Sequence, residues 1–117
     1  MRHVITIVTA LALSTGGCVS DADDAGASLM VHNHSDYVLT AVHVADVGNP
    51  HWGPNLLPDV LYPSEDLVIH DLDCGAYDVL VVDDNGVRCR LHYLDMCFHD
   101  EGWVVTNATL AACAFPR

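Results

Sequence analysis

The stretch from Cys74 to Cys97 constrains the fold more than any other part of the sequence. Two apolar, β-branched runs flank Asp83-Asp84-Asn85-Gly86, and an Asn-Gly pair between such runs is a strong local signal for a hairpin. Asn85 and Gly86 both tolerate the positive φ angles that a two-residue type I′ turn requires. The sequence therefore predicts an antiparallel hairpin with these two residues at its tip.

The register of this hairpin predicts one disulfide bond. With a two-residue turn, Asp83 faces Arg88 as a cross-strand ion pair, and pairing continued outward sets Cys74 opposite Cys97. Directly opposed residues of paired strands have Cβ atoms only slightly farther apart than those of a disulfide. The sequence therefore predicts a Cys74–Cys97 bond.

Two further cysteines remain for a second bond. Cys89 lies on the same hairpin, and a turn at residues 99–101 would bring the following segment, with Cys113, back beside it. None of the four cysteines forms a Cys-x-x-Cys pair, the spacing typical of zinc and redox sites. A Cys89–Cys113 disulfide is the resulting prediction.

Other short apolar runs indicate an all-β domain. Strands are predicted at 29–34, 37–45, 67–72 and 103–106, in addition to the two of the hairpin, with turns between them and no helix of ordinary length. The Gly- and Pro-rich loop 46–58 contains Trp52, which is expected to cap one end of the core with Leu56 and Leu57. This pattern predicts an antiparallel β-sandwich of about six or seven strands, stabilised by disulfides.

The first 17 residues have the features of an export signal. Arg2 and His3 precede the apolar run from Val4 to Leu13, and small residues follow before Cys18. The run is only about half of the roughly 20 residues that a membrane-spanning helix needs. Residues 1–17 are therefore predicted to be a signal peptide, 18–28 a flexible acidic tether and 29–117 the β-sandwich domain.

Gly16, Gly17 and Cys18 resemble the lipobox of bacterial lipoproteins, although Thr15 stands where leucine is usual. The resemblance implies that Cys18 becomes the lipidated N-terminus, carrying palmitate among its acyl chains, and Val19 after it implies the outer membrane. The odd total of five cysteines agrees, because lipidation of Cys18 leaves four for disulfides. Cleavage by ordinary signal peptidase, which gives a secreted protein, remains the alternative.

The charge of the chain restricts its partners. The formal net charge is −12 and there is no lysine, so the clusters of cations that bind nucleic acid are missing. The expected partners are the membrane, through the N-terminal lipid, and a protein of the cell envelope. The sequence predicts no nucleic-acid binding and leaves the oligomeric state open.

Several short motifs resemble those of small secreted or lipid-anchored bacterial β-domains of undetermined function. They are Val31-His32-Asn33-His34-Ser35, Trp52-Gly53-Pro54-Asn55-Leu56-Leu57, Pro63-Ser64-Glu65, Gly75-Ala76-Tyr77-Asp78-Val79 and Asp84-Asn85-Gly86. Pro63-Ser64 departs from the Pro-Gly that is common in such domains. The resemblance implies the fold and the location, and it implies no activity.

Histidines supply the first candidate metal site. His32 and His34 are two residues apart on a predicted strand and therefore share a face, and His43 is expected to approach from the neighbouring strand. Imidazole nitrogens are suitable ligands for zinc or copper. The competing interpretation is that histidines simply occupy polar surface positions in a chain without lysine.

The acidic hairpin tip is the second candidate. Asp83, Asp84 and Asn85 offer oxygen ligands for calcium, and the loop residues Asp95, Asp100 and Glu101 are possible additions. The turn alone also explains this sequence, because its residues are those a tight turn favours.

Catalytic motifs are missing from the sequence. No serine stands in a Gly-x-Ser-x-Gly elbow, no glycine-rich phosphate loop occurs, and no cofactor is expected. The leading prediction is a non-catalytic envelope or surface lipoprotein that acts as a structural or interaction module. The alternative is a lipoprotein that binds a divalent metal ion: calcium, zinc or copper.

Overall fold

The computed structural model describes residues 4–7, 26–97 and 99–114. The elements in chain order are β1 (Val4–Ile7), β2 (Ala27–His34), β3 (Leu39–Asp46), β4 (Asp66–Leu72), β5 (Ala76–Asp83), β6 (Arg88–Asp95), β7 (Glu101–Thr106) and α1 (Asn107–Ala114). Four predicted strands begin and end within two residues of observed strands. They are the strands predicted at 29–34, 37–45, 67–72 and 103–106. The helix α1 and the strand β1 were not predicted.

Two sheets form a sandwich-like arrangement, which confirms the predicted all-β fold. The first sheet has the order β1-β4-β2-β7 and the second has the order β3-β5-β6. The second sheet is antiparallel throughout. In the first sheet β2 and β4 are antiparallel, but β7 pairs with β2, and β1 with β4, in parallel. These two parallel pairs depart from the antiparallel pairing that was predicted for the sandwich.

The core lies between the inner faces of the sheets. Alternate residues of β2 are buried, as expected for a strand with one face on the core. Each fully buried Val or Leu side chain contributes about 1.5–3 kcal/mol. The completely buried apolar side chains are Leu29, Val31, Leu39, Val42, Leu61, Leu67, Val79, Val81, Met96 and Val105.

The tip of the β5–β6 hairpin differs from the prediction by one residue. The N–H of Asp83 donates to the carbonyl of Val87 at 3.0 Å, so the loop is Asp84-Asn85-Gly86. Only Gly86 of these three has a positive φ, at 85°, as in a three-residue loop that ends in a left-handed residue. The Asp83 carboxylate accepts the N–H groups of Asn85 and Val87 at 2.8 and 2.9 Å, which stabilises this longer loop.

This loop shifts the register near the turn. Arg88 faces Val82 instead of Asp83, and the predicted Asp83–Arg88 pair was wrong. Farther out, the residues His92 and Tyr93 of β6 oppose the single residue Asp78 of β5.

A bulge at this position restores the predicted register toward the open end. Tyr93 has a φ of 58°, and its N–H donates to the Asp78 carboxylate at 3.0 Å. Beyond the bulge Tyr77 faces Leu94. This is the register predicted from the sequence, in which Cys74 lies opposite Cys97.

Both predicted disulfides, Cys74–Cys97 and Cys89–Cys113, are present. The turn predicted to bring Cys113 back beside Cys89 was wrong. β7 comes after β6 in the chain but lies in the other sheet, so the two strands form no hairpin. Helix α1 brings Cys113 back to Cys89. Reciprocal bonds between the backbone N–H groups and hydroxyls of Thr106 and Thr109, at 3.1 and 3.2 Å, cap the start of this helix.

The loop with Trp52 covers an edge rather than one end of the core. Leu57 is buried as expected, but Trp52 lies beside the Arg90 guanidinium, 5.2 Å from the ring centroid, on the outer face of the second sheet. Asn55 accepts the N–H of Val42 at 2.9 Å. The loop thereby satisfies backbone groups at the free edge of β3.

The N-terminal predictions fall largely outside the described residues. Cys18 and most of the predicted signal peptide and tether are not among them. Val4–Ile7, inside the predicted signal peptide, pairs with β4. β2 begins at Ala27, two residues before residue 29, where the domain was predicted to start.

Candidate metal centre

Two histidines and one aspartate meet on the outer face of the first sheet. His32 and His34 alternate with buried residues along β2 and therefore point away from the core. Asp66, the first residue of β4, lies directly opposite His32 in the antiparallel register. The parts of the chain that the structure describes contain one group of three or more His, Cys, Asp or Glu side chains spaced for metal binding, and it is His32, His34 and Asp66.

The spacing of this group is close to what a transition-metal ion requires. One ligand atom from each residue lies within 4.8 Å of the others, and the ligands of a tetrahedral zinc ion are separated by roughly 3.3 Å, so the set would have to contract around an ion. The imidazole rings of His32 and His34 have centroids 5.7 Å apart and are inclined at 68°. His34 is the exposed member of the group.

Asp66 holds His32 in position. The Asp66 Oδ1 atom lies 2.7 Å from the Nδ1 atom of His32, and the two side chains are 5% and 23% exposed. A carboxylate in this position fixes the orientation of a ligand imidazole or joins it as a ligand. Two imidazoles and one carboxylate favour zinc or copper over calcium, which prefers oxygen ligands.

Asn33 makes the segment between the two histidines rigid. Its side chain is completely buried and its Nδ2 donates to the carbonyls of Tyr37 and Leu61 at 2.8 and 2.9 Å. Its Oδ1 accepts both the N–H and the hydroxyl of Ser35. All side-chain donors and acceptors of Asn33 are thus used, and β2 keeps a fixed conformation up to His34.

A cleft lies beside His34 at the end of β2. It has a volume of about 450 Å³ and is lined by His34, Ser35, Asp36, Pro63 and Ser64. If His32, His34 and Asp66 held a zinc or copper ion, it would supply a Lewis acid that could also take water or an incoming group.

His43 does not join this group. It lies on β3 in the second sheet, opposite Leu80, and its Nδ1 is 3.0 Å from the carbonyl of Gly53. The expectation that His43 approaches His32 and His34 assumed that β2 and β3 pair with each other. The chain instead crosses between sheets after Ser35.

The predicted calcium ligands are divided between two ends of one hairpin. Asp83, Asp84 and Asn85 lie at its tip, whereas Asp95 ends β6 at the opposite end, about 23 Å away at 3.3 Å per residue. The Asp83 carboxylate is also engaged by the backbone of its own turn. The acidic tip therefore forms a turn, and Asp95 is too far along the hairpin to complete a site with it. Asp100 accepts the N–H of Ser28 at 2.9 Å instead.

Glu101 has a different partner. It lies 2.8 Å from His99 Nε2, while His99 Nδ1 contacts the carbonyl of Cys97 at 2.8 Å. The carbonyl first and the Glu101 carboxylate next raise the pKa of His99 above its ordinary value of 6.5.

Asp66 was not among the ligands predicted from the sequence. The strand was predicted to begin one residue later, which left Asp66 in a turn beside Glu65. The available signal is the alternation that follows, because Leu67 and Ile69 are apolar and point to the core, and this sets Asp66 on the outer face with the histidines.

Among the described residues, no helix has the length and apolar character that crossing a membrane demands.

No family model matches the chain. No curated protein matches it either. One solved structure is similar: the NMR structure of a protein from Eubacterium rectale, with a TM-score of 0.54 and 12% sequence identity over 76% of this chain and 84% of that one. At this identity the similarity supports the two-sheet fold alone.

Proposed function

We propose that the chain is a non-catalytic lipoprotein of the bacterial cell envelope, and that its β-sandwich binds a divalent transition-metal ion. The cluster of His32, His34 and Asp66 carries the metal-binding part, because two imidazoles and a carboxylate converge on one face. The two disulfides support an oxidising compartment. The resemblance of residues 16–18 to a lipobox supports the anchor.

Isothermal titration of the disulfide-intact protein with zinc and with copper(II) tests the metal site. We expect one ion per chain with a dissociation constant below 10 μM, equivalent to about −7 kcal/mol. His32→Ala should lower the affinity at least tenfold.

His51→Ala is the matched control. His51 is exposed, on the loop with Trp52, and its loss should leave the affinity unchanged. Binding weaker than 10 μM in the parent protein, or an equal loss of affinity in the two variants, would contradict the proposed site.

Labelling of cells with radioactive palmitate tests the anchor separately. We expect label in the protein from the membrane fraction, and none in a Cys18→Ser variant, because the thioether and the acyl chains are attached at that residue. Unlabelled protein in the medium would instead indicate secretion after ordinary cleavage.

A further inference from the structure

The arginines of the described part of the chain lie together on one strand. Arg88 and Arg90 are both exposed on β6, with the buried Cys89 between them. Alternate side chains of a strand share a face, and the Cα atoms of two such residues are about 6.8 Å apart. The two arginines therefore form a short basic row on the outer face of the second sheet, in a chain whose net charge is −12.

Neither arginine is neutralised by a carboxylate of the residues that the structure describes. The ion pairs among those residues all have histidine as the cation. Asp78, on the neighbouring strand, accepts the N–H of Tyr93 at 3.0 Å and lies 3.5 Å from Nδ1 of His92. Its carboxylate is thus engaged beyond the row, and both guanidinium groups face solvent with their charge uncompensated.

Trp52 holds one of the two guanidinium groups. The Cζ atom of Arg90 lies over the Trp52 ring, 5.2 Å from its centroid. A guanidinium above an aromatic ring keeps its in-plane N–H groups for other partners, and their fork matches a carboxylate in a bidentate pair. A cleft of about 360 Å³ adjoins Arg90 and is also lined by Asn49 and His92, which leaves room for an incoming side chain.

We propose that the row of Arg88 and Arg90 binds an extended acidic segment of a partner protein. Carboxylates at alternate positions of an extended chain repeat at the same spacing of about 6.8 Å, so two of them face both guanidinium groups at once. A nucleic acid fits less well, because its affinity depends on the number of cations that contact phosphates. The row lies on the second sheet and the histidine group on the first, so this proposal is independent of the metal site.

Titration of the whole disulfide-intact chain with two synthetic peptides tests the proposal. One is Glu-Thr-Glu-Thr-Glu-Thr-Thr, and the other, Glu-Thr-Thr-Glu-Thr-Thr-Glu, has the same composition but sets neighbouring glutamates on opposite faces of an extended chain. NMR signals of the arginine Nε–H groups report binding. We expect the first peptide to saturate both signals with a dissociation constant below about 1 mM and the second to bind at least fivefold more weakly.

Substitutions locate the binding surface. Arg88→Gln and Arg90→Gln should each lower the affinity for the first peptide at least fivefold. Arg90→Gln also removes the contact with Trp52, whereas Arg88→Gln removes charge alone and keeps the test valid if the loop moves. His51→Gln is the control, because His51 is exposed on the same loop and should leave the affinity unchanged.

Four results would overturn the proposal. The first two are equal affinity for the two peptides and unchanged affinity in Arg88→Gln. The third is tighter binding of a single-stranded oligonucleotide, which would indicate a nucleic-acid surface. The fourth is a gain of affinity on replacing Asp21, Asp23 and Asp24 by asparagine, which would indicate that the chain's own acidic segment occupies the row.

Discussion

Ser64 has a backbone conformation that usually requires glycine. It follows Pro63 in the turn from Tyr62 to Glu65 and has a φ of 74°, and the N–H of Glu65 donates to the carbonyl of Tyr62 at 3.0 Å. A proline followed by a residue with positive φ is the pattern of a type II turn. The departure from Pro-Gly noted in the sequence therefore introduces strain at this position.

We predict that Ser64→Gly stabilises the protein by about 0.5–1 kcal/mol, because glycine adopts positive φ without a Cβ clash. Urea denaturation measures the change. Ser64→Ala is the control: it removes the same hydroxyl but keeps the Cβ, and it should bring no gain. Equal stabilisation by both substitutions would show that the hydroxyl, not the backbone angle, is responsible.

The pKa of His99 provides a second test at this scale. Since the Cys97 carbonyl and Glu101 raise that pKa, the folded state favours the protonated imidazole. The resulting stabilisation is fully present below about pH 6.5, the unfolded value, and is lost as the pH rises through the higher folded pKa. NMR titration of the His99 ring should give a midpoint above 6.5.

Glu101→Gln should lower that midpoint, because it removes the negative charge 2.8 Å from Nε2. Asp84→Asn changes an equal charge at the far end of the hairpin and should leave the midpoint unchanged. A midpoint at or below 6.5 in the parent protein would contradict the predicted direction.

At the level of elements, substitutions at the tip of the β5–β6 hairpin distinguish a three-residue loop from a two-residue turn. In the three-residue loop only Gly86 needs a positive φ, whereas a type I′ turn requires it at Asn85 as well. We therefore predict that Gly86→Ala costs about 1 kcal/mol, although an added Cβ meets no atom within 4 Å. Asn85→Ala should change the free energy of unfolding by less than about 0.5 kcal/mol.

Both values come from chemical denaturation. Gly75→Ala is the control for loss of a glycine, since a Cβ there makes only ordinary contacts with Tyr77. A large loss of stability from Asn85→Ala would favour the two-residue turn instead.

Strand positions were predictable because alternation and turn residues are local properties. The pairs Leu67/Ile69 and Leu29/Val31 mark the inner faces of their strands directly. The length of the hairpin loop was less accessible, because it depends on a side chain, Asp83, that bonds to the backbone of its own turn. Helix α1 starts after Thr106, whose hydrogen bonds with Thr109 cap it. A pair of threonines at this spacing is not a strong sequence signal for a helix.

At the scale of the molecule, the Cys89–Cys113 disulfide connects parts of the two layers. Cys89 belongs to the second sheet, and Cys113 lies on the helix that follows the first. Joint replacement of both by alanine should destabilise the domain by about 3 kcal/mol, because the bond closes a segment with a separation of 24 residues. Thermal unfolding under non-reducing conditions measures this.

Joint replacement of Cys74 and Cys97 is the comparison, since its separation of 23 residues is nearly equal. Losses of similar size would agree with an effect on the unfolded chain. A negligible loss in either variant would indicate that the rest of the fold already restricts that segment.

The candidate metal site was only half predictable because it depends on which strands become neighbours. His32 and His34 are adjacent through the alternation of one strand, which the sequence reveals. Asp66 lies beside them and His43 does not, because β2 pairs with β4 and not with β3. That choice results from how the chain crosses between the sheets, and no local pattern specifies it.

The central position of β2 has a mechanical consequence. It lies between β4 and β7 and begins at Ala27, shortly after the residues proposed to anchor the protein. A force between membrane and domain would enter through this strand and act along its axis. The hydrogen bonds on both sides would then be loaded together in shear, whereas an edge strand pulled sideways would lose its bonds one after another. The anchored domain should therefore resist unfolding under tension.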